Sequence, residues 1–166
     1  MRTEAIRAVA ITVSDRCARG EAEDVSGKLL TDLLRATAAE VVAAEVVSDD
    51  LDPLAAKLRA YADSGEVDLI CTTGGTGLAP RDNTPEATRR AIERDVPGLA
   101  EAMRAETWDK VPTAMLSRAV CGARGRTLIV NLPGSPAGVR ECFAVIKPVL
   151  AHAVRLLRGA PHEQAG

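Results

Sequence analysis

Five short stretches of this 166-residue chain combine residue types able to handle anions or metal ions. The densest is Thr72-Thr73-Gly74-Gly75-Thr76-Gly77. Glycines there permit positive φ and close approach of a ligand to the backbone. Successive N–H groups can converge on an anion as a nest, and Thr73 and Thr76 add hydroxyl donors. A flexible strand-to-helix connection would share this composition. The stretch is not a Walker A loop, since no Lys-Ser/Thr pair follows, and it lacks the dinucleotide pattern G-x-G-x-x-G. Arg81-Asp82 comes next. Arg81 can meet a phosphate as a fork. Asp82 can bind a metal, or form an Asx-turn ahead of a helix.

Three further stretches complete the set. Ser48-Asp49-Asp50 closes a strand, and Asp49 is a magnesium or base candidate, with an exposed turn aspartate as the alternative. In Leu132-Pro133-Gly134-Ser135-Pro136, two prolines stiffen the chain, Gly134 permits a tight turn and Ser135 can cap a helix. The same geometry can clasp a flat ring or a phosphate at the helix N-terminus. Ser14-Asp15-Arg16 offers a hydroxyl, a carboxylate and a guanidinium, or merely a surface ion pair of little worth.

Other chemistries are disfavoured. The chain has two histidines, His152 and His162. His152 falls late in a helix, away from these stretches, so a Ser–His or Cys–His pair lacks its base. No G-x-S-x-G elbow occurs. Cys17, Cys71, Cys121 and Cys142 form no C-x-x-C pair, which argues against zinc. The formal charge is -2, and Arg alternates with Asp and Glu rather than clustering. That excludes the basic stripe of a nucleic-acid binder. No signal peptide or membrane span is evident, so a reducing cytoplasm is expected.

The elements that must position these stretches follow from periodicity. Ala8–Val13, Val41–Val47, Asp68–Thr72 and Thr127–Asn131 read as strands, the last pairing with the region around Ala119–Ala123. Leu29, Leu30, Leu33 and Leu34 share a helical face. Asp52 is expected to cap a helix with Pro53 at its first position. Thr84 and Pro85 repeat that signal. Pro97-Gly98 breaks the chain before a helix over Leu99–Trp108. An irregular stretch covers Lys110–Ser117, and Ser135-Pro136 opens a last helix in which Pro148 should produce a kink. Only 2% of residues are aromatic, so Leu, Val, Ile and Ala must build the core. Alternating strands and helices imply βαβ units and a mostly parallel sheet covered on both faces. One domain over residues 1–158 is expected, with 159–166 as a flexible tail. Ligands in such folds bind beyond the carboxyl ends of the strands, where all five stretches fall.

Together these stretches resemble the MogA/MoaB family of molybdopterin adenylyltransferases, to which the gephyrin G domain is related. The resemblance rests on Thr12-Val13-Ser14-Asp15-Arg16, Asp24 with Ser26-Gly27, Thr72 to Gly77, Pro80 to Thr88, Pro97-Gly98, Leu116 to Ala119, Gly122 with Arg124-Gly125, and Asn131 to Pro136, in that order. It implies a molybdopterin-binding-domain-like, three-layer α/β/α sandwich, commonly a homotrimer. It implies Mg²⁺-dependent adenylylation of molybdopterin by ATP, releasing pyrophosphate, with hand-over to a molybdate-inserting transferase. It makes Asp49 and Asp82 the catalytic and metal-binding carboxylates. Ser14, Asp15, Thr73 to Gly77, Arg81, Ser117 and Pro133 to Pro136 would form the substrate site. Inactive MoaB-type paralogues and scaffold modules are the alternative. Three residues depart from the family pattern: Asn83 replaces a usual Val, Ser135 a frequent Asn, and Lys28 a common Pro.

Overall fold

The computed structural model describes residues 5–160. Six strands are defined: β1 (Ile6–Val13), β2 (Ala39–Val47), β3 (Leu69–Thr73), β4 (Arg94–Asp95), β5 (Cys121–Arg124) and β6 (Thr127–Leu132). Six α-helices accompany them: α1 (Asp15–Ala18), α2 (Val25–Ala36), α3 (Leu51–Asp63), α4 (Thr84–Ala91), α5 (Pro97–Thr107) and α6 (Pro136–Leu157). A 3-10 turn covers Pro112–Leu116. His162 and most of the expected tail lie outside the described residues.

The strands form one sheet in the order β2-β1-β3-β6-β5-β4. The first four are parallel, while β5 runs antiparallel to both β6 and β4. Side-chain alternation splits the core in two, as a doubly covered sheet requires. Ala8, Ala10, Leu69, Cys71, Leu128 and Val130 face Leu30, Leu34, Met103, Val139, Phe143 and Ile146 on one side. Val9, Ile11, Ile70 and Ile129 face Leu54, Leu58, Ala87 and Ala91 on the other. Helices α2, α5 and α6 thus cover one face, and α3 and α4 the other. This is the expected three-layer sandwich.

The connection leaving β1 passes to α2 on one face, and that leaving β3 to α4 on the opposite face. The neighbouring carboxyl ends of β1 and β3 therefore flank a crevice at the topological switch point, where open α/β sheets bind ligands.

Local details differ from the sequence-based expectations. The loop after β1 contains α1, capped by the Ser14 hydroxyl, which accepts from Cys17 N–H at 3.2 Å. Helix α3 starts one residue before Asp52, with Asp50 in the cap position and no side-chain cap bond. Asp52 instead pairs with Arg90 across to α4. Helix α4 includes Thr84, and Asn83 occupies its cap position, again without a side-chain cap bond. The α5 helix begins at Pro97, earlier than expected, because proline suits a helix's first turn. Pro148 lies inside α6, as its place in the apolar run implied. Strand β4 has two exposed residues and carries no periodic signal.

Candidate active site

The glycine stretch leaves β3 and is locked where its backbone is unusual. Gly74 has φ +99°, and a Cβ there would fall 2.4 Å from the Val13 carbonyl. Gly75 has φ +68°, and a Cβ there would fall 2.3 Å from Thr84 Oγ1 and 3.1 Å from Asp49 Oδ1. Only glycine fits both positions. Gly74 N–H donates to Leu132 C=O at 3.2 Å, Thr84 Oγ1 donates to Gly74 C=O at 2.9 Å, and Thr84 N–H to Gly75 C=O at 3.1 Å. The Thr84 side chain is thereby used to hold the loop rather than to cap its own helix.

Past Gly74 the pattern changes. The N–H groups of Gly75, Thr76, Gly77 and Leu78 donate to no acceptor among the described residues. All four residues line a cavity of about 500 Å³. Ala100, Met103, Ser117, Pro133 and Ser135 line it too. A second cavity of about 500 Å³ adjoins it, lined by Thr12, Ser14, Asp24, Ser26, Asp49, Thr73 and Pro136. Gly75, Asp82 and Gly134 line both. The two cavities therefore meet at the glycine loop.

The carboxylates cluster at this junction. Asp15 and Asp49 hold each other's loops: Asp15 N–H donates to Asp49 Oδ2 at 2.9 Å, and Asp49 N–H to Asp15 Oδ1 at 3.0 Å. The Arg81 guanidinium grips both Asp15 oxygens at 2.8 and 2.9 Å and reaches Asp50 Oδ1 at 2.9 Å. Arg81 and the Asp49 N–H hold the Asp15 carboxyl down at about 2. Arg81 thus serves as a strut between loops, with Nη1 alone uncommitted among the described residues. Asp49 is treated differently. Burial raises its pKa, the Asp15 N–H opposes this, and the nearby Asp15 and Asp82 charges raise it further. No donor among the described residues reaches its Oδ1. Asp82 Oδ2 accepts from Ala79 N–H at 3.0 Å and pairs with no cation among the described residues. Asn83 Nδ2 donates to Asp49 C=O at 3.0 Å, tying the two acidic loops together.

The remaining sequence-derived candidates divide by role. Ser117, Thr76, Gly77, Gly134 and Ser135 line the first cavity. Thr73 is fully buried, and its hydroxyl donates to Pro133 C=O at 2.7 Å, so it fixes the wall. Ser135 caps α6 by accepting from Gly138 N–H at 3.0 Å. Ser14 caps α1 and lines the second cavity.

Thr12, Asp24 and Ser26 fall in blocks that carry the resemblance, but sequence reasoning gave them no place in the site. Asp24 caps α2 through Gly27 N–H at 2.8 Å and accepts from Thr12 Oγ1 at 2.8 Å. Ser26 Oγ donates to Gly134 C=O, linking α2 to the Pro-Gly turn. The cap signal of Asp24 ahead of the leucine-rich helix was readable; its place in a cavity wall was not.

Residues 9–152 match the family described as a probable molybdopterin binding domain. Molybdopterin adenylyltransferase of Helicobacter pylori is 40% identical over 151 residues, 90% of this chain and 86% of that one. Molybdenum cofactor synthesis protein cinnamon of Drosophila melanogaster is 43% identical over 93% of this chain, which spans only 26% of its length. Among solved structures, the molybdopterin biosynthesis enzyme MoaB of Thermus thermophilus superposes with a TM-score of 0.88 at 50% identity, covering 95% of this chain and 99% of its own. Among the described residues, no helix is long and apolar enough to cross a membrane. The matched span takes in every loop of the two-cavity site, and the chain belongs to the molybdopterin-binding domain family of molybdenum cofactor biosynthesis.

Proposed function

We propose that the chain adenylylates molybdopterin with ATP. A terminal phosphate oxygen of molybdopterin attacks the α-phosphorus of ATP. A new P–O bond forms, the bond from the α-phosphorus to the β-bridging oxygen breaks, and pyrophosphate leaves with that electron pair. The observation that carries this reading is the row of uncommitted N–H groups from Gly75 to Leu78, which lines the first cavity and starts at Gly75, where the two cavities meet. Two reactants need two adjoining sites with their phosphates at the boundary. Backbone dipoles fixed toward an anion need no reorganisation as charge develops. Holding both reactants in line removes much of the barrier to a bimolecular transfer.

The residues also fit Mg²⁺. Asp49 and Asp82 face one cavity, and Asp49 carries an oxygen that no protein donor reaches. No group of three or more His, Cys, Asp or Glu side chains able to hold a metal occurs among the described residues. Magnesium suits such a site, since it commonly binds through one or two carboxylates, waters and substrate phosphates. When bound, it would neutralise phosphate charge and stabilise the departing pyrophosphate. The protein's own part is to present Asp49 and Asp82 at the spacing set by the Asp15, Arg81 and Asn83 bonds, and to hold the anion on the loop.

The same reading includes a homotrimer, hand-over to a molybdate-inserting transferase, and a cytoplasmic location. Exposed Leu78 and Leu116, which line the first cavity, support a protein-facing rim. Four free cysteines suit a reducing compartment. The deciding experiment is pyrophosphate release from ATP, Mg²⁺ and molybdopterin. Turnover is expected; pterin binding without turnover would instead make the chain a binding module.

A further inference from the structure

Arg118 follows Ser117 but lines neither of the two large cavities. Its bonds nevertheless converge on the loop that lines both. Arg118 N–H donates to Thr76 C=O at 2.8 Å, and Nε donates to Gly77 C=O at 2.8 Å. Nη2 donates to Asp82 C=O at 2.8 Å, and Nη1 pairs with Glu86 on α4. The side chain therefore spans both ends of the irregular segment 77–82 and fastens it to the first turn of α4.

These contacts have a consequence for the opposite side of the loop. In a planar trans peptide, a C=O and the N–H of the next residue point in opposite directions. Holding Thr76 C=O and Gly77 C=O on Arg118 turns the N–H groups of Gly77 and Leu78 away from it. Those residues line the first cavity, and their N–H groups are among the four with no acceptor among the described residues. The Nη2 bond to Asp82 C=O fixes the backbone of Asp82 to the same frame. Thr76 C=O is held by the backbone N–H, which any residue here keeps, whereas the rigid plane of the guanidinium holds Gly77 C=O, Asp82 C=O and the Glu86 carboxylate at once, as the point charge of a lysine cannot.

We propose that Arg118 is a positioning residue that sets the phosphate-binding face of the glycine loop and its distance from Asp82. This rests on the adenylyl-transfer reading for its catalytic consequence, though not for its effect on anion binding. The test uses the full chain, comparing wild type with Arg118→Lys and Arg118→Ala. Pyrophosphate release is measured with molybdopterin and Mg-ATP, and inorganic pyrophosphate is titrated while backbone amide signals are recorded.

In Arg118→Lys, kcat falls about a hundredfold, as a small misplacement of reacting groups can cause, while KM for molybdopterin stays within about threefold. Wild-type signals of Gly75 to Leu78 shift with pyrophosphate, and those shifts shrink in the lysine variant. Guanidinium added to Arg118→Ala restores about tenfold in rate, since a planar donor returns to the gap. Should the alanine variant fail to fold, the lysine variant carries the test, since it keeps the charge beside Glu86. Unchanged kcat per folded molecule in Arg118→Lys, or wild-type amides indifferent to pyrophosphate, overturns the proposal. An inactive wild type whose pyrophosphate shifts still depend on Arg118 sinks the adenylyl-transfer reading and leaves the positioning role standing.

Discussion

Asp68 and Asp49 lie at opposite ends of the parallel strands, and their surroundings differ in what they supply. Asp68 precedes β3 at the amino end of the sheet. Its carboxylate accepts from Arg158 Nε at 3.0 Å, Arg158 Nη2 at 2.6 Å and Arg7 N–H at 2.9 Å. Burial alone would raise its pKa, but Arg158 and the Arg7 N–H outweigh it and hold the carboxyl below its ordinary value. Asp49 follows β2 at the carboxyl end. Among the described residues it has one backbone donor, no cation bonded to it and acidic neighbours, and its pKa is raised, chiefly by burial. A buried charge that is fully paired stabilises the fold around it. A half-buried one that is left under-compensated, like Asp49, is poised for a ligand the protein does not itself provide. The contrast separates an aspartate whose charge is spent on the fold from one left open to a ligand, without reference to sequence position.

The sharpest way to break the comparison is to neutralise each acid in turn. Asp49→Asn and Asp82→Asn each lower the rate of pyrophosphate release about 10²–10³-fold, the cost typical of losing one preorganised charge-stabilising group. Their melting temperatures stay near wild type, because neither removes a paired ion. Full turnover in both variants would end the assignment. Asp68→Ala does the reverse. It removes the carboxylate that accepts from Arg158 and the Arg7 N–H at the sheet's amino end and costs about 3 kcal/mol, as breaking a buried pair does. In a chain of this size that lowers Tm by roughly 6–12 °C. Turnover per folded molecule is unchanged. Thermal melts and pyrophosphate assays on the same samples decide both halves.

How far this division was readable from sequence depends on the residue. The alternation of strands with helices along the chain announced a sheet covered on both faces, and the apolar spacing of α2 and α6 announced their buried stripes. The carboxyl-end loops followed from that order, and with them Asp49, Asp82 and the glycine stretch. Elements that bury no face were invisible: α1 has four residues and none is buried. Caps misled for a physical reason. Thr84 and Asn83 carry the right side chains for α4, but their polar atoms are drawn away to Gly74 and Asp49. Arg118 gave no spacing signal, because its acceptors Gly77 and Asp82 lie 41 and 36 residues away. Arg81 showed the converse: a guanidinium beside a glycine loop suggests a phosphate fork, but local carboxylates take most of its donors.

Glycines extend the comparison to the backbone. Gly125 sits in the turn between β5 and β6 with φ +53°, and a Cβ there would meet nothing within 4 Å. Gly125→Ala therefore costs only the left-handed backbone penalty, about 1 kcal/mol, and leaves turnover intact. Gly75→Ala carries a similar penalty and also drives a methyl toward Thr84 Oγ1 and Asp49 Oδ1. Turnover falls at least tenfold in that variant, an estimate of about 1.4 kcal/mol in barrier height. Equal activity in the two alanine variants would show that the Gly75 backbone does not set the position of Asp49.

Acid titration gives the smallest effect and tests the Asp68 half of the contrast directly. Its folded-state pKa is depressed below the unfolded value of about 3.9. The stabilisation it contributes is therefore fully present above that unfolded value and is lost as pH falls through the folded value. Wild type minus Asp68→Asn should show a constant stability difference from about pH 7 down to about pH 5, narrowing only below about pH 4. Denaturant melts across that range measure it. A difference that narrows already between about pH 7 and 5 would mean that another group, titrating near neutrality, carries the bridge to Arg158. A difference that never narrows would mean that the arginine contact depends on shape rather than on the carboxylate's charge, and Asp68 would no longer stand as the paired counterpart of Asp49.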